Sequence, residues 1–328
     1  GANQYAPMTG VPALREEIAK KVAMLYGNTV SPETEVTVTS GATEALFAAI
    51  AAVVRRDDEV IVFDPAYDSY EPAIELNGGV AVHLQLQPPA FHIDWQQLKD
   101  AITPKTRMII INTPHNPTGS ILSADDLAQL AELVRDTDIL LLGDEVYEHI
   151  VFDGHQHHSL LSHPELYQRS FVVSSFGKTY HTTGWKVGYC VAPAALSVEL
   201  RKVHQYLTFS TSTPMQLAVA DIMREQPSHY QALPAFYQHK RDLFNTLIAP
   251  GKFTFTAAPG TYFQLVDYSN ISDMNDIDFC QWLIKEVGVA AIPVSVFCNT
   301  PPHMRLIRFC FAKGDETLKS AAARIVAI

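Results

Sequence analysis

The sequence Ser174-Ser175-Phe176-Gly177-Lys178-Thr179-Tyr180-His181-Thr182-Thr183-Gly184-Trp185-Lys186-Val187-Gly188 places a lysine just after an apolar run. That run, Phe171-Val172-Val173, is β-branched and predicts a buried strand. Lysine usually lies on a solvated surface, where its charge costs little. A lysine at the end of a buried strand, among hydroxyls and glycines, therefore predicts a functional side chain. We expect the other polar strand ends of the chain to converge on Lys178.

The pattern of strands and helices predicts an α/β fold. Apolar, β-branched runs alternate with helical patterns, which indicates a mostly parallel sheet in a three-layer domain. The predicted strands of this part are 35–39, 60–63, 80–86, 107–112, 138–142, 171–173 and 187–191. Further on, 253–256, 262–266, 289–292 and 306–311 predict strands of a smaller α+β domain. We place the larger domain at residues 1–235 and the small C-terminal domain at 236–328.

Composition narrows the classes of partner. The 328 residues carry a net charge of −11, which argues against nucleic acid or an anionic membrane as a partner. The longest apolar run, residues 45–54, is too short to span a bilayer. The four cysteines form no CxxC pair, which is typical of free thiols in a reducing compartment. We therefore expect a cytoplasmic location.

Small, polar or acidic residues follow several predicted strands. In an open α/β sheet, ligands bind beyond the carboxyl ends of the strands. Asp144 comes directly after a buried strand, so its carboxylate needs a cationic partner or several donors. Gly41-Ala42-Thr43 opens a helix and is either a phosphate site or an ordinary strand-to-helix turn. The strand ends expected to form one rim are Ser40-Gly41-Ala42, Asp64-Pro65, Asn116, Asp144 and Lys178.

Other ligand signatures are not supported. No GxGxxG follows a strand, so a dinucleotide site is not predicted. Gly177-Lys178-Thr179 resembles the end of a P-loop, but residue 172 is Val where that motif requires Gly. His155, His157 and His158 are more typical of a solvated loop than of a metal site. We expect no metal.

A lysine, a buried aspartate, a phosphate turn and an aromatic residue at Tyr67 are the parts that a pyridoxal phosphate (PLP) site needs. The lysine forms an imine with the cofactor, and the aspartate keeps the pyridine nitrogen protonated, so that the ring accepts electrons. The sequence therefore points to PLP as the cofactor.

The order of these motifs resembles the fold-type I, class I/II aminotransferases over nearly the whole chain. Within that family the chain is most similar to the kynurenine aminotransferase and glutamine transaminase K branch, and above all to bacterial methionine aminotransferases. The motifs that carry the resemblance are 5–10, 40–43, 115–119, 144–147, 175–178, 183–189 and 307–311.

The resemblance implies a role for each site residue. Lys178 would bind PLP covalently, Asp144 would pair with the pyridine nitrogen, and Tyr67 would stack on the ring. Tyr147 and Asn116 would hydrogen-bond the ring oxygen, although alone they could be a rim aromatic and a turn cap. Arg308 would bind the substrate carboxylate; alone it could be a charge on an edge strand. The phosphate would be held by Gly41, Ala42, Thr43, Ser175, Lys186 and Tyr5 of a second subunit in a homodimer.

The implied reaction is ping-pong transamination of an α-amino acid. Dicarboxylate-specific relatives use a second arginine from the partner subunit, and residues 204–214 contain none. A neutral side chain is therefore expected: methionine, glutamine or an aromatic residue. Many relatives have arginine at the position of Lys186. Lysine can supply the positive charge but not the bidentate fork of a guanidinium. Two alternatives stay open: a PLP-dependent C–S β-lyase acting on cysteine S-conjugates, and a non-catalytic PLP-sensing module. Relatives also carry a segment before the Tyr5 motif, so part of the small domain is expected to be absent here.

Overall fold

The structure is a computed structural model that describes residues 1–300 and 304–328. It contains a seven-stranded sheet and a separate three-stranded sheet. In chain order the strands are β1 (Val36–Thr39), β2 (Glu59–Asp64), β3 (Val80–Gln85), β4 (Thr106–Asn112), β5 (Leu140–Asp144), β6 (Ser170–Ser175), β7 (Gly188–Val191), β8 (Phe263–Asp267), β9 (Ile292–Pro293) and β10 (Leu306–Cys310).

Helices cover both faces of the larger sheet, and three further helices pack against the small sheet. They are α1 (Pro12–Tyr26), α2 (Gly41–Val53), α3 (Tyr70–Leu76), α4 (Trp95–Ala101), α5 (Ala124–Val134), α6 (Pro164–Tyr167), α7 (Phe176–Thr179), α8 (Ala194–Leu207), α9 (Thr213–Glu225), α10 (His229–Ile248), α11 (Asp276–Trp282) and α12 (Asp315–Val326). Short 3₁₀ turns lie at Leu160–Ser162, Thr183–Trp185 and Ser295–Phe297, and a π-helical turn at Leu283–Val287.

Side chains of the central strands alternate between two cores, as the twofold period of a strand requires. Val60 and Val62 pack with Ile50 of α2 on one face. Ile61 and its neighbours on the opposite face pack with Leu14 of α1. The sheet is therefore the middle layer of three, which confirms the predicted α/β fold and explains why its strands are continuous apolar runs.

The strand directions bring the predicted rim to one edge. The order is β1-β7-β6-β5-β4-β2-β3, and only β7 among these runs antiparallel to its neighbours. β1, β2, β4, β5 and β6 consequently end at the same edge, and β7 begins there. Residues that follow the five strand ends can therefore meet, as the sequence predicts.

The small sheet, with order β8-β10-β9, packs against α10, α11 and α12. The strand predicted at 253–256 is wrong: Thr254 forms one isolated bridge with Asp267, and the pairing does not continue. Phe253 is buried in this core and Thr254 is exposed, so burial alternates without a ladder of hydrogen bonds. The predicted domain boundary between 235 and 236 falls within α10 and stays a prediction.

Candidate active site

A cavity of about 550 Å³ lies beyond the shared carboxyl edge of the larger sheet. Side chains of β10 and the 3₁₀ turn Ser295–Phe297 close its other side. All predicted site residues except Tyr5 line it: Gly41, Ala42, Thr43, Tyr67, Asn116, Asp144, Tyr147, Ser175, Lys178, Lys186 and Arg308.

Asp144 lies at the floor of this cavity as the last residue of β5, only 3% exposed. Burial raises the pKa of its carboxyl to about 6, although Tyr70 and the Val146 N–H lower it. The hydroxyl of Tyr70 donates to Asp144 Oδ2 at 2.5 Å, and the Val146 N–H donates to Oδ1 at 3.4 Å. Both donors are neutral, so the charge of this buried carboxylate is not balanced, and a cationic group of a ligand would stabilise it.

Lys178 is half-buried in the short helix α7, which follows β6. Its Nζ lies 5.8 Å from the ring centroid of Tyr147 and 5.7 Å from that of Tyr262. Within residues 1–300 and 304–328, no carboxylate lies within 4.0 Å of this amine. The amine therefore faces the cavity without an ion pair that would have to be broken first.

The turn before α2 has the geometry of an anion site. Gly41 has a φ of 76°, and a Cβ there would lie 3.1 Å from Lys186 Nζ. A Cβ on Gly188 would lie 2.6 Å from the Ala42 nitrogen. Glycine at both positions keeps the amides of this 13-residue helix open to the cavity. Ser175 stands beside them and accepts a hydrogen bond from the Gly177 N–H at 3.1 Å.

Arg308 comes into the cavity from β10. Its Nη1 donates to Asn116 Oδ1 at 2.6 Å, and its Nε is buried with no partner in the described part of the chain. Burial lowers the pKa of this guanidinium. Phe263 lies 3.9 Å from Arg308 Cζ, from ring centroid to carbon. A buried guanidinium with an unused donor is suited to binding an anion.

The aromatic residues differ in position. Tyr67 Oη lies 3.4 Å from Thr43 Oγ1. Tyr147 is buried, and burial together with Tyr262 raises the pKa of its hydroxyl. Tyr5 is 81% exposed and packs on Phe209 with ring centroids 5.3 Å apart, so it lies outside this chain's own cavity.

Several functional neighbours were missed by sequence reasoning. Asn112 ends β4 in register with Asp144, and its amide donates to the Asp144 carbonyl at 2.8 Å. Its strand-end position was a usable signal, as was the position of Tyr70 one helical turn after Tyr67. Tyr262, Phe263 and Phe297 had no such signal, because they lie at the start of β8 and in the 3₁₀ turn after β9, far along the chain from the other strand ends. The remaining lining residues are Leu46, Asp68, Val146, Gly177, Thr183, Val187, Ile292 and Val296.

The histidine-rich loop lies elsewhere. His155 is exposed, and His157 Nε2 lies 2.9 Å from Glu145 Oε2. Within the residues that the structure describes, no three His, Cys, Asp or Glu side chains are arranged to hold a metal ion. Across residues 1–300 and 304–328, no helix is long and apolar enough to cross a membrane.

Comparison with known proteins identifies the family. The protein-family model for aminotransferase class I and II matches residues 1–325 of this chain. A methionine aminotransferase of Escherichia coli is 56% identical over 325 residues, which cover 99% of this chain and 84% of the relative. Kynurenine–oxoglutarate transaminase 1 of Rattus norvegicus is 35% identical over 356 residues, covering 98% and 84%.

A solved structure agrees over the whole fold. The crystal structure of YbdL from Escherichia coli, described as having a methionine aminotransferase function, superposes with a TM-score of 0.99 at 55% identity. The match covers 100% of this chain and 87% of that one. The predicted family, cofactor and enzyme class are confirmed: this chain belongs to the PLP-dependent class I and II aminotransferases.

Proposed function

We propose that the chain transaminates α-amino acids with a neutral side chain, with methionine as the preferred donor. The single observation that carries this proposal is the charge of the cavity. Among the described lining residues, the cations are Lys178, Lys186 and Arg308. If these bind the cofactor carbon, the phosphate and the substrate α-carboxylate, no cation among the described lining residues is left for an acidic side chain.

The chemistry of the site fits PLP in both charge and space. We propose that Asp144 holds a protonated pyridine nitrogen, because a buried carboxylate whose pKa is raised gains from a cationic partner. The Gly41 and Ala42 amides, Thr43, Ser175 and Lys186 would hold the phosphate. Tyr67 would stack on the ring, and Tyr147 and Asn116 would reach its oxygen. PLP supplies an electrophilic carbon for the amino group and a ring that accepts electrons.

Lys178 is proposed to move the proton. Its amine would accept the proton from the substrate Cα and then donate it to the cofactor carbon. General acid–base help of this kind contributes about 10²–10⁴-fold to a rate. Arg308 would orient the substrate by binding its α-carboxylate, with Asn116 holding the guanidinium from the side at 2.6 Å. A bidentate contact of this type fixes direction as well as affinity.

The apolar wall of the cavity favours methionine. Ile292, Val296 and Phe297 line the side nearest Arg308. They offer a thioether or aromatic side chain apolar contact, and methionine sulfur interacts well with aromatic rings. The methionine aminotransferase named among the relatives supports the same choice.

The experiment is a donor screen with a fixed oxo acid. We expect kcat/KM for methionine, glutamine or an aromatic amino acid to exceed kcat/KM for aspartate. A preference for aspartate would contradict the proposal. The lyase and sensing alternatives are not favoured, because the matched relatives are aminotransferases. Continuous pyruvate release from cystathionine without an oxo acid would instead support C–S β-lyase activity.

A homodimer with Tyr5 shared between subunits stays a proposal, as does the cytoplasmic location. The exposure of Tyr5 and of Tyr206, which is 91% exposed, supports a partner at this surface. Mixing inactive Tyr5→Ala and Lys178→Ala chains tests it, because a hybrid dimer would contain one complete site. No recovery of activity from the mixture would contradict a shared Tyr5.

A further inference from the structure

The segment Ser295–Asn299 lies between the small sheet and the tip of β2. The Ala66 N–H donates to the Phe297 carbonyl at 2.6 Å. The Asn299 N–H donates to Asp64 Oδ2 at 2.9 Å. Two hydrogen bonds thus join parts of the chain that are more than 200 residues apart, and Ala66 directly precedes Tyr67, which lines the cavity.

Asp64 makes the stronger of these contacts. The side chain is 3% exposed, and its Oδ1 lies 2.8 Å from His83 Nδ1. Glu71 lies on the far side of that ring, with Oε1 3.5 Å from His83 Nε2. A buried carboxylate that bonds an imidazole with one oxygen and a backbone N–H with the other is held firmly, because hydrogen bonds to a charged acceptor are stronger than neutral ones.

The held segment carries a wall of the cavity. Val296 and Phe297 both line it. The Phe297 ring centroid lies 5.1 Å from Arg308 Cζ, and the Phe263 centroid lies 3.9 Å from the same atom. Aromatic rings at this distance attract a guanidinium and restrict its orientation.

We propose that Asp64 is a positioning residue for substrate binding, which acts by fixing Phe297 against Arg308. Asp64 does not line the cavity, although the sequence placed it at the rim. Its carboxylate holds the Asn299 end of the Ser295–Asn299 segment, while Asp276 accepts two hydrogen bonds of 2.7 Å from Ser295 at the other end. Phe297 then sets how the guanidinium is presented. This inference rests on the proposed role of Arg308 as the carboxylate clamp.

The test uses Asp64→Ala and Phe297→Leu in the PLP-loaded enzyme. We expect each to raise KM for methionine about tenfold, because either change leaves the Arg308 guanidinium less well oriented toward the substrate carboxylate. kcat and the affinity for PLP should change by no more than about twofold. Asp64→Asn keeps an oxygen acceptor for the Asn299 N–H and should raise KM less than Asp64→Ala.

The double variant distinguishes positioning from general damage. If Asp64 acts through Phe297, Asp64→Ala with Phe297→Leu should raise KM no further than the worse single variant, because coupled residues are not additive. Glu71→Gln is the matched control: it contacts His83 but not the segment, and KM should stay at the wild-type value.

Two outcomes would overturn the inference: an unchanged KM in Asp64→Ala and Phe297→Leu, or effects that add in the double variant. Arg308→Lys separates this failure from failure of the proposed function. If Arg308→Lys raises KM while the other variants do not, only the positioning role of Asp64 is wrong. If Arg308→Lys leaves KM unchanged, the carboxylate clamp itself is wrong.

Discussion

The hydroxyl of Tyr70 donates a hydrogen bond of 2.5 Å to Oδ2 of Asp144. The bond holds the carboxylate at the floor of the cavity and lowers its pKa, but burial outweighs it and leaves that pKa raised to about 6. Without its cofactor, the protein therefore buries a costly charge. The cofactor's ring nitrogen would supply the missing positive charge, which links the stability of the fold to the chemistry of the site.

Asp144→Asn should stabilise the PLP-free protein at neutral and alkaline pH. The carboxyl pKa rises from 3.8 to about 6 on folding. The folded state therefore binds more protons between these values, and wild-type stability falls as pH rises through them. At about pH 8 the cost approaches ~3 kcal/mol, from 1.36 kcal/mol per pKa unit. Urea unfolding of both proteins across pH measures the difference.

The advantage of Asp144→Asn should vanish below about pH 3, where the carboxyl is neutral in the folded and unfolded states. Equal free energies of unfolding at about pH 8 would show that burial of this charge is not costly. Binding of PLP should reverse the order, because only the wild-type carboxylate can pair with a protonated ring nitrogen.

Gly188→Ala should weaken PLP binding. A Cβ on Gly188 would lie 2.6 Å from the Ala42 nitrogen and 2.7 Å from the Gly41 carbonyl carbon, so backbone at the phosphate turn would have to move. Overpacking of this kind costs ~1–3 kcal/mol, and we expect the Kd for PLP to rise about tenfold or more. Gly184→Ala is the control, since its Cβ would meet no described atom within 4 Å. Equal Kd values for both variants would contradict a tight turn.

Asp68→Asn should relax the selection against acidic substrates. Asp68 lines the cavity, is exposed and acts on the charge of Arg308. A single charge near a solvated site is worth ~1 kcal/mol, so kcat/KM for glutamate relative to methionine should rise about fivefold. Asp100→Asn, on the distant helix α4, should leave this ratio unchanged. An equal glutamate-to-methionine ratio of kcat/KM in wild type and Asp68→Asn would show that Asp68 does not contribute to substrate selection.

Lys21→Met should destabilise the fold strongly. Lys21 Nζ lies 2.6 Å from Glu148 Oε1, and both side chains are buried. Burial alone would raise the pKa of Glu148, but Lys21 and Ser174 hold it well below its usual 4.5. Removing one partner of such a pair costs ~3–5 kcal/mol. Thermal or urea unfolding gives the value.

The double variant Lys21→Met with Glu148→Gln should recover much of the loss, because no buried charge is then left unpaired. The pair stabilises the protein above about pH 4.5 and loses its effect as pH falls further. A double variant as unstable as Lys21→Met would show that packing, not charge, dominates at this position.

Strand ends were the part of the site that the sequence could predict. Asp144 and Lys178 follow apolar runs, and parallel topology alone brings such positions to one edge. Arg308 needed the family resemblance, because a lone arginine in a short strand has no local signature. Phe297 could not be found, since its place depends on hydrogen bonds that its carbonyl forms with Ala66 and that the Asn299 N–H forms with Asp64, more than 200 residues away.

The fold shows the same division. Long apolar runs predicted the larger sheet, because burial on both faces leaves a strong pattern. The prediction of the small sheet was less accurate: Val289–Ile292 was predicted as a strand, but β9 is only Ile292–Pro293. Alternating burial there arises from packing on α11 and α12, and pairing of strands is not needed to produce it.

The central claim is that Lys178 is the residue that carries PLP and the substrate proton. Borohydride reduction of the PLP-loaded protein, followed by peptide mass spectrometry, tests it most directly. We expect the cofactor mass on Lys178, none on Lys186 in the same cavity, and none in Lys178→Ala, which should also lose turnover. Labelling of Lys186, or undiminished labelling and turnover in Lys178→Ala, would contradict the account.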